Sequence, residues 1–192
     1  MTPFFWYIRI MQRQYLLNLL ENYATNDAHE QEMQARMKIF VQTHEDCFER
    51  KLAIGHITGS AWVVNPTRTH VLMLHHRKLD CWLQPGGHSD GDPNTLQVAL
   101  RETQEESGIE SKYIQPVSES IFDIDIHTIP ARKNEPQHEH FDVRFLLEAD
   151  DNAPLNISEE SNELAWIPLH MVADLNNEES IMRMLNKTMT NK

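Results

Sequence analysis

The chain has little of what several protein classes require. Of its 192 residues only Cys47 and Cys81 are cysteine, and they do not stand in CxxC spacing. That excludes a disulfide framework or a cysteine zinc knuckle and suits a reducing, cytoplasmic compartment. Basic residues are scarce: 17 Lys and Arg stand against 29 Asp and Glu, a formal net charge of −12. Long nucleic acid needs a basic footprint, so it is not expected as a partner, whereas a small phosphorylated ligand held through a cation stays open. Long apolar runs are missing too. Phe4-Phe5-Trp6-Tyr7-Ile8 is too short to cross a bilayer and no cleavage-like small residues follow it, so neither a membrane helix nor a signal peptide is expected. Glycine is sparse, with six in all, and two of these are adjacent at Gly86-Gly87.

What is present describes an ordinary globular chain: 40% hydrophobic and 24% charged residues, without repeats or low-complexity tracts. Residues 1–52 read as a helical extension. Tyr15 to Leu20 is dense in leucine and predicts a helix ending near Tyr23. Asp27 with Glu30 three residues on has the form of a capping box, and Met33, Met37, Phe40 and Val41 then follow helical spacing. Packing against the main domain is the favoured use of this pair, and pairing two copies as a homodimer is the alternative.

Residues 53–192 read as the main domain. Ile54, Ile57, Ala61, Val63 and Val64, with Thr58 and Ser60, predict a strand; Asn65 to Arg68 a turn; Val71 to Leu74 a second strand, completing a hairpin. His75-His76-Arg77-Lys78 is a basic knot, either solvated or facing phosphates. Phe122, Ile124 and Ile126 alternate with Asp123, Asp125 and His127, a half-buried strand. After a loop over residues 130–136, Phe141, Val143, Phe145 and Leu147 alternate again. His138 and His140 share a face if that strand reaches back to them. Such an H-x-H can bind metal, but no soft ligand accompanies it, so the wall of a substrate cleft is preferred to a zinc site. A second acidic cluster, Ser158 to Glu163, precedes a strand from Leu164, and Glu179 to Met189 predicts a terminal helix.

The most informative stretch runs from Gly86 to Ile109. Gly86-Gly87 is read as a turn whose glycines take positive φ and approach a ligand closely. Pro93-Asn94-Thr95 supply breaker and N-cap chemistry, Leu96, Ala99, Leu100 and Thr103 form one stripe, and Gly108 stands at the C-cap position. Glu102, Glu105 and Glu106 are related by three and four residues and so crowd on a neighbouring face. Only Arg101 offsets them within the helix, and the C-terminal end of the helix dipole disfavours them. A solvated acidic face is the usual fate of such a run. A hard divalent cation, Mg²⁺ or Mn²⁺, would resolve the repulsion.

With its flanking glycines this stretch resembles the Nudix box, G-x5-E-x7-R-E-U-x-E-E-x-G-U, where U is a bulky apolar residue. Gly87, Arg101, Glu102, Glu105, Glu106, Gly108 and Ile109 match in register over 23 residues, while Thr103 replaces an aliphatic U and Pro93 replaces the first Glu. Asp90 and Asp92 are the nearest carboxylates to the departure. The resemblance implies an α/β (α+β type) fold, the Nudix α/β/α sandwich with a mixed sheet, behind the N-terminal helical extension. It also implies a metal-dependent pyrophosphohydrolase acting on a nucleoside diphosphate joined to another moiety, such as a nucleotide sugar or ADP-ribose. The alternative is a sensor that binds such a ligand without cleaving it, which Pro93 keeps open. The implied metal ligands are Glu102, Glu105 and Glu106 with the Gly87 backbone, and Arg101 orients one of them. A late-loop glutamate, Glu159, Glu160 or Glu163, is expected to serve as base or ligand, with Glu160 chosen. His88, His127, His138 and His140 are expected to face the substrate.

Overall fold

The structure is a computed structural model that describes the backbone over residues 3–132 and 135–190 and side chains from Gln12 onward. The apolar stretch Phe4–Ile8 and residues 133–134 of the 130–136 loop therefore lie outside the described side chains. Two helices, α1 (Pro3–Asn22) and α2 (Ala28–Thr43), come first. The Asp27 carboxylate accepts from the Glu30 N–H at 3.0 Å, so α2 starts at the expected cap.

Among the described residues, eight strands form one mixed sheet: β1 (Gly55–Val64), β2 (His70–His76), β3 (Cys81–Leu83), β4 (Gly86–His88), β5 (Ile114–Pro116), β6 (Asp123–Ile129), β7 (His138–Ala149) and β8 (Ser161–Pro168). The centre is β1, buried at every position, running parallel to β7 on one side and antiparallel to β2 and β4 on the other. The remaining helices are α3 (Thr95–Ser107), α4 (Val172–Leu175) and α5 (Glu179–Thr190).

Two apolar clusters follow from the alternation of β1. Ile57, Ala61 and Val63 point into one, with Leu96 and Ala99 of α3 and with Leu20, Met37 and Phe40 of the N-terminal helices. Trp62 and Val64 point into the other, with Ile181, Met184 and Leu185 of α5. Helices thus cover both faces, which is why the central strand carries so few charged residues. The N-terminal pair belongs to the core: the Phe40 and Phe141 rings stack at 3.9 Å.

Two expectations are revised. Gly86-Gly87 is a strand paired with β1, and neither residue is among those with positive φ. Glycine is required there by close approach: a Cβ on Gly86 would lie 2.8 Å from the Ser60 Cα. The polar side of β6 is not a wet face at its start. Asp123 is completely buried, because Arg144 of β7 and Arg183 and Lys187 of α5 close around it. Among the described residues no helix is long and apolar enough to cross a membrane.

Candidate active site

The acidic helix is placed by local signals. The Asn94 side chain accepts from the Gln97 N–H at 3.2 Å, and Gly108 ends α3 in the left-handed conformation at φ 69°. Leu96, Ala99 and Thr103 are buried against β1, with Leu100 half-buried beside them. Gly59 of β1 admits the helix: a Cβ there would stand 2.7 Å from the Thr95 carbonyl oxygen and 3.0 Å from the Val98 side chain.

That seating turns the glutamates toward β4. The Gly86 N–H donates to Glu106 Oε2 at 2.9 Å. A Cβ on Gly87 would sit 2.5 Å from the Glu102 carboxyl carbon, so only glycine leaves the carboxylate its place. Arg101 donates to Glu102 Oε1 at 2.9 Å and to the His88 carbonyl at 2.8 Å, and it lies 3.8 Å from Glu105. One guanidinium thereby ties the helix to β4 and orients a carboxylate.

The charges are poorly balanced. Glu106 is 9% exposed, and burial, followed by the nearby Glu102, Glu160 and Glu105, pushes its carboxyl up to about 8 against the Gly86 hydrogen bond. Burial also raises Glu102, opposed by Arg101. Glu160, exposed on the loop before β8, is the late glutamate whose charge acts on Glu106. Its backbone carbonyl accepts from the Arg77 N–H at 2.9 Å, and the Arg77 guanidinium bonds the Ser161 carbonyl and Asn162. Part of the basic knot therefore anchors the late acidic loop.

The carboxylates beside Pro93 are already engaged. Asp90 accepts both arms of the Arg50 guanidinium, and Asp92 Oδ1 accepts from the Asn94 N–H at 2.9 Å. Asp90 still lies close enough to raise Glu102.

The histidines meet on the other side of the β1–β4 ladder. Alternation sends Gly87 toward Glu102 and His88 toward His56, at 5.0 Å between ring centroids. The registers place His140 opposite both His56 and His127. His140 lies 4.7 Å from His56, 5.1 Å from His88, 5.4 Å from His127 and 5.2 Å from His138. All four expected histidines thus converge, with a fifth that the sequence reading passed over. The available signal was polar alternation, His56-Thr58-Ser60, inside a strand buried on both faces.

A family profile for the NUDIX domain matches residues 56–186, and the chain belongs to that family. It is 33% identical over 92 residues to a protein described as a probable DHNTP pyrophosphohydrolase from Lactococcus lactis subsp. cremoris, spanning 47% of this chain and 48% of that one. It is 29% identical over 103 residues to the asymmetrical bis(5'-nucleosyl)-tetraphosphatase of Mus musculus, covering 53% and 62% of the two chains. The matched stretches thus span about half to three fifths of these relatives. The fold resembles that of a C. elegans Ap4A hydrolase binary complex, with a TM-score of 0.57 at 17% identity over 70% of this chain and 96% of that one.

Proposed function

We propose that the chain is a divalent-cation-dependent pyrophosphohydrolase. Its substrate is a nucleoside diphosphate joined to a second group: a nucleotide sugar, ADP-ribose or, as the tetraphosphatase relative suggests, a dinucleoside polyphosphate. The observation that carries this reading is the buried Glu106, raised to about 8 among three other glutamates and met by a single backbone N–H. A stability argument would not leave it there, and a hard-oxygen donor set fits Mg²⁺ or Mn²⁺. Glu102, Glu105 and Glu106 would hold the ion, with the Gly87 backbone beside them. When bound, the ion neutralises phosphate oxygens and lowers the pKa of a coordinated water.

The chain's own residues do the rest. Arg101 fixes Glu102 through the hydrogen bond and holds the helix at β4. Gly87 keeps the backbone close to the carboxylates. The oxygen of the attacking water bonds to phosphorus, the anhydride P–O bond breaks, and its electron pair leaves with the departing phosphate. Glu160, the exposed late-loop carboxylate whose charge acts on Glu106, takes the water's proton.

The test is a hydrolysis panel with Mg²⁺ over nucleotide sugars, ADP-ribose, dinucleoside polyphosphates and pterin triphosphates, with Glu105→Gln as control. Cleavage of one class and its loss by orders of magnitude in the variant support the reading. Calorimetric binding of such a ligand, with no product after hours, would favour the sensor that Pro93 suggests.

A further inference from the structure

A second cluster of ligating side chains lies outside the glutamate site. Among the described residues, His56, His138 and His140 are the group whose ring nitrogens come together, all within 4.8 Å of one another. Their strands run parallel, and the register sets His56 directly opposite His140. The alternation of β7 brings His138 to the same face.

Three features mark this as more than stacked aromatic packing. His56 is 2% exposed, yet neither of its ring nitrogens has a hydrogen-bond partner. A neutral imidazole carries one donor and one acceptor, and each left unsatisfied costs about 1–3 kcal/mol. The second is orientation. His138 Nδ1 lies 2.9 Å from the Pro136 carbonyl oxygen, an acceptor only, so Nδ1 carries the proton and Nε2 presents its lone pair. Such an outer partner is how metal-bound imidazoles are oriented. The third is spacing. His138 Nε2 and His140 Nε2 are 3.3 Å apart. Two nitrogens at zinc-bond length on a tetrahedral ion stand about 3.3 Å apart. A hydrogen bond between the two rings would also fit that separation, but it would leave His56 buried beside them with both nitrogens unmet.

We propose that His56, His138 and His140 form a three-imidazole site for a borderline divalent cation of the Zn²⁺ class, distinct from the glutamate site on α3. This goes beyond the hydrolase reading and replaces the cleft-wall role for His138 and His140. Imidazole selects Zn²⁺ and its neighbours over Mg²⁺, which prefers carboxylate and water. The two sites are divided by the β4 backbone, with Gly87 facing one and His88 the other. Three protein ligands leave a fourth position for water or an anionic oxygen.

The test uses the full chain without a histidine tag, stripped by a chelator and titrated with Co²⁺ followed by Zn²⁺. One equivalent of Co²⁺ should give the intense visible bands of a tetrahedral ion, displaced by Zn²⁺ and unaffected by excess Mg²⁺. His138→Ala and His140→Ala should each weaken binding by about a hundredfold or more, since loss of a direct ligand exceeds loss of an outer partner. Circular dichroism reports whether the fold survives, and half-buried His138 is the variant least exposed to that objection. Glu105→Gln and Glu106→Gln should leave the bands intact. Co²⁺ binding of this kind supports the site whether or not any anhydride is cleaved. Absence of a one-equivalent tetrahedral complex, its persistence in both histidine variants, or its loss in Glu106→Gln overturns the proposal.

Discussion

Glu106 sets the charge balance of the site. Its carboxyl stands at about 8 in the folded chain against an ordinary 4.5. A raised value means that stability is fully present below 4.5 and is lost as pH climbs through 8. In chelated protein, Glu106→Gln should therefore gain on the wild type as pH rises from about 5 to about 9, reaching on the order of 2 kcal/mol. Urea melts at the two pH values check this, and an unchanged gap would contradict it. Gly87→Ala tests the neighbouring contact. The added methyl must displace the Glu102 carboxylate, so turnover should fall about tenfold to a hundredfold with the far-UV circular dichroism kept, the scale expected of a misplacement near 1 Å. At this scale the glutamates and Arg101 were legible because helix periodicity and box spacing are local. His56 was not, since His138 and His140 lie more than 80 positions away and only the β1–β7 register brings them together.

Among the elements, the contact between α5 and β6 is a buried ion network. Arg183 donates to both oxygens of Asp123 at 2.8 and 2.9 Å and to the Ile124 carbonyl, while Lys187 reaches Asp123 and Glu30. Removing one member leaves uncompensated charge in the interior, so Arg183→Met should cost about 3 kcal/mol. Arg36→Ala breaks the exposed pair with Glu139 and should cost less than about 1 kcal/mol. Comparable denaturation midpoints for the two variants would contradict this. Despite burial, the Arg183 hydrogen bond with the charges of Arg144 and Lys187 holds Asp123 below the ordinary carboxylate value, and the His127 hydrogen bond, followed by the charge of Arg144, does the same for Asp125. Their contribution is present above about 3.8 and lost as pH falls below it, opposite in sense to Glu106. Element types were mostly readable: α3, α5 and β7 start and end near their sequence signals. Gly86-Gly87 was misread because its pairing with β1 is tertiary, and the dry face of β6 because α5, some 60 residues later, covers it.

At the scale of the molecule, the N-terminal helices and the family domain share one core. Met33, Met37, Phe40 and Val41 of α2 are buried in the cluster that holds α3 and β7, and Glu30 joins the ion network of α5. A chain beginning at residue 53 would expose that cluster, so it should lose its near-UV circular dichroism and aggregate. Retention of the full chain's melting temperature would contradict this. The 1–52 and 53–192 division, read from the switch between helical spacing and strand alternation, coincides with a change of secondary structure, while the apolar contacts run across it.

The central claim is that the α3 glutamates hold a cation which serves anhydride cleavage. The most direct measurement is turnover on the preferred substrate of the hydrolysis panel at saturating Mg²⁺, comparing wild type with Glu106→Gln. The account predicts a loss of about a hundredfold or more, with substrate still bound and the fold intact. Wild-type turnover in that variant would contradict it.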